Sequence, residues 1–197
     1  MDKKVIIIGA SGHGKVIADI IRRNGDCVVG FLDDDLLKPG VIGIVSDCLK
    51  YEDCSFVIAI GNNGIRKKIA EEYSNLKYYT AIHPTAVVGA SVSIGAGTVV
   101  MANAVINPSV SIGRHCIINT AAVVEHDSVI ESYVHISPGA VLCGTVSVGE
   151  STHIGAGATV RNNLSITQNV VVGLGAAVVK NIDKVGVYVG VPAKELE

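Results

Sequence analysis

From residue 88 to residue 178, an aliphatic residue returns at every sixth position of the chain without an exception. The series is Val88, Ile94, Val100, Ile106, Ile112, Ile118, Val124, Ile130, Ile136, Leu142, Val148, Ile154, Val160, Ile166, Val172 and Val178. The residue two positions before each of them is small or of modest size, as at Ala86, Thr98 and Cys116. Because alternate residues of a strand point to opposite faces, both members of each pair lie on the same, inward face. The pattern predicts one very short strand in every six residues.

A six-residue period predicts a coil with three sides. Simple alternating strands repeat every two residues and would not select one position in six. Three units close a triangular coil of 18 residues, and the sixteen units make a little over five coils, a prism roughly 25 Å long at the spacing of paired strands. Gly often follows the aliphatic residue, and Gly and Asn suit the unusual backbone angles expected at corners. We predict a left-handed parallel β-helix of hexapeptide repeats from which no long loop leaves.

The first 82 residues follow another pattern, in which apolar runs alternate with helical stripes. The predicted elements are strands at 5–8, 28–32 and 56–60, a glycine turn at 9–14, a first helix with the stripe Val16, Ile17, Ile20 and Ile21 that ends near Gly25, and a second helix that carries Arg66, Lys67 and Lys68. Such alternation predicts a small Rossmann-like α/β domain with a parallel sheet over residues 1–82, followed by the β-helix domain over residues 83–197. The fold class is therefore mainly β.

Composition agrees with this architecture and excludes some classes of function. Aromatic residues make up 4% of the chain and Trp is absent, whereas Gly occurs 22 times, as suits narrow, repetitive β-structure. The formal net charge is −2 without a run of like charges, so we expect no nucleic-acid partner and no anionic-membrane partner. No apolar stretch has the length of a membrane span. The five cysteines form no C-x-x-C pair, which indicates reduced thiols and a cytoplasmic location.

The glycine turn at residues 9–14 offers backbone amides and a helix N-terminus that can hold a phosphate. Its order is G-x-x-G-x-G rather than the dinucleotide pattern G-x-G-x-x-G, and no second mononucleotide-binding half follows. A nucleotide-linked sugar is therefore the favoured ligand, with NAD as the weaker alternative. In parallel sheets, ligands bind at the carboxyl ends of the strands. The chain places Ser11, Gly12, His13, Asp33, Asp34 and Gly61 at those ends.

Six histidines are the candidate acid–base groups. His126 is predicted at a corner of the prism with a carboxylate residue on each side, one of them Asp127, and this setting keeps an imidazole basic and oriented. His13 lies in the glycine turn and suits a contact with substrate. His83 is assigned a structural role at the start of the β-helix, and His115 is expected at a solvated corner.

His135 and His153 are separated by one full coil of the predicted prism and should stack on the same outward face. As a metal pair they would lack a third ligand, so we expect no metal. Cys143 should point outward and Cys116 should lie in the core. Neither thiol has a base beside it in the sequence, so a covalent acyl-cysteine is not expected.

Four segments in combination resemble a known family. They are Gly-Ala-Ser-Gly-His-Gly at 9–14, Ile-Gly-Asn-Asn-x-Ile-Arg-Lys-Lys-Ile at 60–69, Val-Glu-His-Asp at 124–127 and Gly-Val-Pro-Ala-Lys at 190–194. Together with the repeat, they resemble the bacterial sugar acetyltransferases related to sialic acid O-acetyltransferases. The similarity is greatest to the UDP-4-amino-sugar N-acetyltransferases of bacillosamine synthesis, and it extends over essentially the whole chain.

The resemblance implies a homotrimer, acetyl-CoA as the donor and a nucleotide-linked amino sugar as the acceptor. By position, it implies that His126 is the catalytic base and that Asp127, where relatives carry Glu, raises its basicity. It implies acceptor contacts from Ser11, Gly12, His13, Asp33, Asp34 and Gly61, and acetyl-CoA contacts from His135, Ala156 and Leu174.

The function predicted in this way is acetylation of the amino group of a UDP-linked 4-amino-4,6-dideoxy sugar, by direct attack of the amine on the thioester. Three alternatives stay open: an N-acetyltransferase for a GDP-linked amino sugar, an O-acetyltransferase of the sialic acid type, and a non-catalytic scaffold that binds a nucleotide sugar.

The outward residues of the prism sort into three faces, because equivalent residues of successive coils lie on the same side. We name them the valine face (Val87, Val105, Val123 and Val141), the histidine face (Val99, Ile117, His135, His153 and Val171) and the serine face (Ser93, Ser111, Val129, Ser147 and Ser165). We expect the valine and histidine faces to approach neighbouring subunits in a homotrimer of parallel prisms, and the serine face to meet solvent. His126 of one chain would then lie near His135 of another.

Overall fold

The front part of the chain is a small α/β domain, as predicted. The computed structural model describes residues 2–196, so the outermost residues of the two predicted domains, 1 and 197, lie outside the described residues. The elements are β1 (Lys4–Ile8), α1 (Gly12–Arg23), β2 (Cys27–Leu32), β3 (Val41–Gly43), a 3-10 helix (Val45–Lys50), β4 (Ser55–Ile58) and α2 (Asn63–Glu72). The four strands form one parallel sheet in the order β3-β2-β1-β4.

The helices α1 and α2 pack on different sides of this sheet. Helix α1 buries Ile17, Ile20 and Ile21 against the apolar side chains of β1. Helix α2 begins at the N-cap Asn62, whose side-chain oxygen accepts a hydrogen bond from the Ile65 N–H at 3.0 Å. Within residues 2–196, neither helix has the length and apolar character that a membrane span requires.

All sixteen predicted repeats form two-residue strands, from β6 (Val87–Val88) to β21 (Ala177–Val178). Two further strands, β5 (Ala81–Ile82) and β22 (Val187–Val189), extend the parallel β-helix to about six coils. The short strand β23 (Lys194–Glu195) pairs antiparallel with β22. The aliphatic and small inward residues form one continuous core along the prism. The predicted fold class is confirmed as a mainly β chain with an N-terminal α/β domain and a parallel β-helix. The left-handed sense of the β-helix and the boundary between residues 82 and 83 stay predictions.

Each face of the prism is one parallel sheet, in which every strand pairs with the equivalent strand of the next coil. The histidine face contains β5, β8 (Val99–Val100), β11 (Ile117–Ile118), β14 (His135–Ile136), β17 (His153–Ile154), β20 (Val171–Val172) and β22. The valine face contains β6, β9 (Val105–Ile106), β12 (Val123–Val124), β15 (Val141–Leu142), β18 (Thr159–Val160) and β21. The serine face contains β7 (Ser93–Ile94), β10 (Ser111–Ile112), β13 (Val129–Ile130), β16 (Ser147–Val148) and β19 (Ser165–Ile166).

The corners of the prism have a left-handed backbone three residues after each inward aliphatic residue from Val88 to Val172, whichever residue occupies that position. Eleven of these corner residues are not glycine, and their φ angles lie between 54° and 65°. The glycines that directly follow the aliphatic residues serve a different purpose from the predicted one. A Cβ on Gly95 would come within 2.5 Å of the Gly113 carbonyl carbon in the next coil. These glycines are required for the close stacking of coils.

The front domain packs on the histidine face of its own prism. Val99 and Ile117 are buried in one apolar cluster with α1 and Tyr79. The expectation that the histidine face approaches a neighbouring subunit is therefore wrong for these two coils, because the front domain of the same chain covers them. The sequence pattern could not distinguish an apolar face covered from within the chain from one covered by a partner.

Candidate active site

His126 and Asp127 form a hydrogen-bonded pair at the corner between the valine face and the serine face. The distance from His126 Nδ1 to Asp127 Oδ2 is 2.7 Å, and the side chains are 58% and 60% exposed. Asp127 is the left-handed residue of this corner, with φ at 58°. In the neutral imidazole, Nδ1 donates its proton to the carboxylate and Nε2 keeps a free lone pair. The pair therefore presents a basic nitrogen at the surface.

A glycine provides the space in which this imidazole lies. Gly144 occupies the equivalent position one coil after His126, and a Cβ there would come 2.7 Å from the Cε1 and Nε2 atoms of the ring. The next residue, Thr145, donates its N–H to the His126 carbonyl at 2.9 Å. The coil above thus fixes the backbone of His126 and leaves room for its side chain.

The predicted acceptor-binding residues lie together at one edge of the front-domain sheet. Ser11, Gly12 and His13 follow β1, whereas Asp33 and Asp34 follow β2. Gly61 follows β4, the other neighbour of β1. The carboxyl ends of three adjacent parallel strands therefore bring all of them to one edge, as the sequence predicted.

Asp33 organises the glycine turn through its side chain. Its carboxylate accepts hydrogen bonds from the Ala10 N–H at 2.8 Å, the Asp35 N–H at 3.0 Å and the Lys38 ammonium at 2.9 Å. Burial acts to raise the pKa of Asp33, but the bonds from Ala10, Lys38 and Asp35 outweigh it and hold the pKa below its ordinary value. Both carboxylate oxygens are engaged within the protein, so Asp33 shapes the site, while the neighbouring Asp34 is exposed at its rim.

His135 and His153 stack on the histidine face, as predicted, with ring centroids 4.6 Å apart. Each Nε2 contacts a corner side chain of the coil below: Asn119 Nδ2 lies 3.1 Å from His135, and Ser137 Oγ lies 2.8 Å from His153. An amide nitrogen can only donate, so Nε2 of His135 accepts and its proton lies on Nδ1. The repeat pattern did not reveal either partner, although each lies 16 residues before its histidine.

The imidazoles of His13, His135 and His153 are held neutral. Burial, His153 and Arg66 lower the pKa of His135 to about 3, with a smaller contribution from His13. Burial and Arg66 lower the pKa of His13 to about 4 and also lower the pKa of His153. A predicted acceptor contact, His13, and a predicted acetyl-CoA contact, His135, thus both lie within the electrostatic influence of Arg66.

The other two predicted acetyl-CoA contacts lie at the corner between the histidine and valine faces. Ala156 and Leu174 occupy equivalent positions one coil apart, where the Gly175 N–H donates to the Ala156 carbonyl at 2.9 Å. Both residues are exposed, Leu174 by 84%. The valine face lies between this corner and His126, so a single chain does not bring the predicted base and the predicted donor contacts together.

The predicted environment of His115 is wrong. Its side chain is 2% exposed, and the ring stacks on Tyr133 at 5.6 Å and meets the edge of Tyr78 at 4.4 Å. Burial, Arg114 and Arg66 lower the pKa of His115 to about 4. The front domain supplies Tyr78 and covers this corner, which the repeat alone could not reveal.

The remaining candidates behave as predicted. His83 is buried, and its Nδ1 accepts the Thr85 N–H at 3.1 Å, a structural contact. Cys116 lies in the prism core, and Cys143 is partly exposed. No group of three metal-ligating side chains occurs among residues 2–196, and the expectation that the site uses no metal stays a prediction.

Both parts of the chain are similar in sequence to known protein families. Residues 4–73 match the PglD N-terminal domain family, and residues 127–162 match the bacterial transferase hexapeptide family (six repeats). The UDP-N-acetylbacillosamine N-acetyltransferase of Bacillus subtilis (strain 168) is 42% identical over 112 residues, 51% of this chain and 52% of that protein. The aligned part thus spans about half the length of this curated relative.

Two solved structures match over nearly their whole length. The acetyltransferase domain of PglB from Neisseria gonorrhoeae FA1090, in complex with acetyl coenzyme A, has a TM-score of 0.94 at 38% identity, with 100% of both chains covered. PerB from Caulobacter crescentus, in complex with CoA and GDP-perosamine, has a TM-score of 0.94 at 37% identity, with 98% of this chain and 97% of that chain covered. Similarity of this extent confirms the resemblance drawn from the motifs. The chain belongs to the family of hexapeptide-repeat bacterial sugar acetyltransferases that carry a PglD-type N-terminal domain.

Proposed function

We propose that this chain is an acetyl-CoA-dependent N-acetyltransferase that acts on the amino group of a UDP-linked 4-amino-4,6-dideoxy sugar. The observation that carries the proposal is the bond between His126 Nδ1 and Asp127 Oδ2, because it leaves Nε2 as an oriented base. The Bacillus subtilis relative supports a UDP-linked acceptor. The GDP-perosamine in the PerB complex supports a GDP-linked amino sugar as the second candidate.

In the proposed reaction, the neutral amine of the acceptor attacks the thioester carbonyl of acetyl-CoA directly. As the C–N bond forms, Nε2 of His126 takes one amine proton, and Asp127 stabilises the resulting imidazolium. The tetrahedral intermediate then breaks its C–S bond, and the sulfur leaves as a thiolate that takes the proton from the imidazolium. General-base catalysis of this kind typically contributes about 10²–10⁴-fold.

We propose that two chains build each active site. His126 lies at the valine–serine corner, whereas His135, Ala156 and Leu174 lie on or beside the histidine face. A homotrimer of parallel prisms joins different patches of neighbouring chains and closes on itself. His126 of one chain would then meet acetyl-CoA held by another, along the exposed apolar surface of Ala156 and Leu174.

The acceptor would bind at the carboxyl ends of β1, β2 and β4, with its diphosphate at the amides of the glycine turn. Ser11, Gly12, His13, Asp34 and Gly61 are the proposed contacts, and Asp33 supports the turn. An Asp34→Asn variant should raise the KM of the acceptor far more than the KM of acetyl-CoA.

The cytoplasmic location remains a prediction from the cysteine pattern.

The proposal is tested by replacing the base. His126→Ala should lower kcat at least ~10²-fold, because this is the contribution that a general base typically makes. The oligomer should stay intact. Asp127→Asn removes an orienting charge and should cost less, with a shifted pH–rate profile. Near-normal turnover in His126→Ala would eliminate the assignment.

The product and the turnover separate the remaining alternatives. NMR of the product distinguishes acetylation of an amine from acetylation of a hydroxyl. Release of free CoA in the presence of UDP-linked or GDP-linked amino sugars distinguishes an enzyme from a scaffold that only binds a nucleotide sugar.

A further inference from the structure

The segment 60–69, which contributed to the resemblance, contains a buried arginine that the proposed mechanism does not use. Arg66 lies in the first turn of α2 and is 1% exposed. Its guanidinium donates five hydrogen bonds, to the carbonyls of Ile60 (2.9 Å), Gly61 (3.2 Å), His115 (2.7 Å) and Tyr133 (2.7 Å) and to Oδ1 of Asn63 (2.8 Å). These five bonds hold the arginine side chain and the backbone segments that it contacts in one arrangement.

The side chains of Arg66 and Asn63 together attach α2 and the loop that precedes it, here called the Gly61 loop (residues 59–62), to three successive coils of the prism. His115, Tyr133 and Ser151 are left-handed corner residues that follow one another at intervals of one coil. Arg66 binds the carbonyls of the first two, and Asn63 Nδ2 donates to the carbonyl of the third at 2.9 Å. The ladder between coils uses the carbonyl of the preceding residue at each corner, so these carbonyls are open to a partner from α2.

The charge of Arg66 has no carboxylate partner in this arrangement. All five of its hydrogen bonds, within residues 2–196, end on neutral oxygens. Burial lowers the pKa of Arg66 to about 10, so the side chain is still protonated at neutral pH. The guanidinium lies at the carbonyl of Gly61, one of the proposed acceptor contacts, and its charge lowers the pKa of His13, another of them. A buried charge without a counterion is costly, and a bound anion would offset that cost.

We propose that Arg66 is a positioning residue for the acceptor. Arg66 holds the Gly61 loop on the prism and supplies a buried positive charge, which the diphosphate of a nucleotide-linked sugar compensates. The inference rests on the proposed function, which supplies this anionic acceptor. Because the guanidinium bonds are taken by the protein, Arg66 acts through the loop and through its electric field. One charge acting across about 10 Å, at an effective dielectric constant of about 20, changes binding by roughly tenfold.

The test is calorimetric titration of the intact protein with UDP and, separately, with GDP. Arg66→Gln removes the charge, Arg66→Lys keeps the charge without the planar fork, and Lys68→Gln removes an equal charge from an exposed neighbour on α2. For whichever nucleotide the unaltered protein binds, we expect Kd to rise at least ~10-fold in Arg66→Gln, about 3-fold in Arg66→Lys and less than ~2-fold in Lys68→Gln. The KM of acetyl-CoA should stay within ~2-fold in all three.

Unchanged nucleotide binding in Arg66→Gln would overturn the inference and leave the proposed function intact. Equal losses in Arg66→Gln and Arg66→Lys would overturn the role of the charge. If Arg66→Gln does not fold, Arg66→Lys decides: parallel rises in the nucleotide Kd and the acetyl-CoA KM would contradict a role specific to the acceptor. If the unaltered protein binds neither nucleotide, the acceptor in the proposed function fails, and this inference fails with it.

Discussion

At the scale of single residues, the space around His126 depends on a side chain that is absent. Gly144→Ala would place a Cβ 2.7 Å from the imidazole atoms Cε1 and Nε2. The ring is exposed and can turn away, so we expect a free energy of unfolding within about 1 kcal/mol of the unaltered protein. Because the base then points elsewhere, kcat should fall at least ~10-fold with both KM values little changed.

Steady-state kinetics and urea unfolding of Gly144→Ala check this expectation. Gly64→Ala is the matched control, because a Cβ there would meet only Asn62 Oδ1, at 3.5 Å. Full activity in Gly144→Ala would mean that the imidazole position seen here is not the catalytic one.

The side-chain contacts that the sequence predicted well are those with local causes. The acid beside His126 is its sequence neighbour, and the bond between the two side chains follows from that. The contacts that were missed join residues that are distant in the sequence. His115 is buried because Tyr78 covers it, and Asn119 binds His135 from a different coil. Neither contact is contained in the local pattern.

At the scale of elements, buried hydroxyls join successive coils at the inward small positions. Thr152 donates from Oγ1 to the Thr167 carbonyl at 2.9 Å and accepts the Val170 N–H at 3.2 Å. Thr98 makes the equivalent pair of bonds to Gly113 and Cys116. The sequence pattern recognised these positions only as small.

Thr152→Val keeps the shape of the side chain and removes both bonds. A buried carbonyl and a buried N–H would lose their partner, so we expect a loss of about 1–3 kcal/mol in the free energy of unfolding, measured by urea denaturation. Thr152→Ser keeps the hydroxyl and serves as the control, with a smaller loss. Equal losses in the two variants would show that the methyl group matters and the bonds do not.

The prism strands were predictable because every repeat contains the same pair of inward residues, one aliphatic and one small. All sixteen were correctly placed. In the front domain, β4 ends at Ile58, two residues before its predicted end, and both β3 and the 3-10 helix over Val45–Lys50 were missed. Their segment is partly exposed, so its hydrophobic pattern is weak. They are held by contacts with β2 that only the fold creates.

At the scale of the whole molecule, the buried neutral histidines couple stability to pH. The pKa values of His13 and His115 are lowered to about 4, and that of His135 to about 3. In the unfolded chain these groups bind protons near pH 6.5, so the unfolded state is favoured on acidification. The stability that these neutral histidines contribute is fully present above about pH 6.5. Between about pH 6.5 and about pH 4, the free energy of unfolding should fall by up to about 1.4 kcal/mol per pH unit for each group.

His115→Phe tests this coupling, because Phe can fill the aromatic cluster without a titrating nitrogen. Urea unfolding at pH 7.5, 6 and 5 should give a shallower dependence of stability on pH in the variant. An unchanged slope would show that His115 takes up its proton in the folded state as readily as in the unfolded chain.

The distribution of site residues over the prism predicts that a single chain is insufficient for activity. Mixing inactive His126→Ala with inactive His135→Ala should restore part of the activity once the chains exchange, because mixed oligomers contain some intact sites. Light scattering should report a trimer. A monomer with full activity, or no recovery in mixtures that demonstrably exchange, would contradict the shared site.

The pairing of equivalent strands in successive coils also governs how such a chain can lengthen or shorten during evolution. An insertion of three hexapeptides adds a whole coil and returns every later side chain to its own face. A single hexapeptide inserted between His126 and His135 would instead rotate the later coils, carrying His135 and His153 from the histidine face onto the valine face. Length variation that preserves both the front domain and the His126 corner is therefore restricted to whole coils, and smaller insertions survive only as loops that leave a corner and return to it.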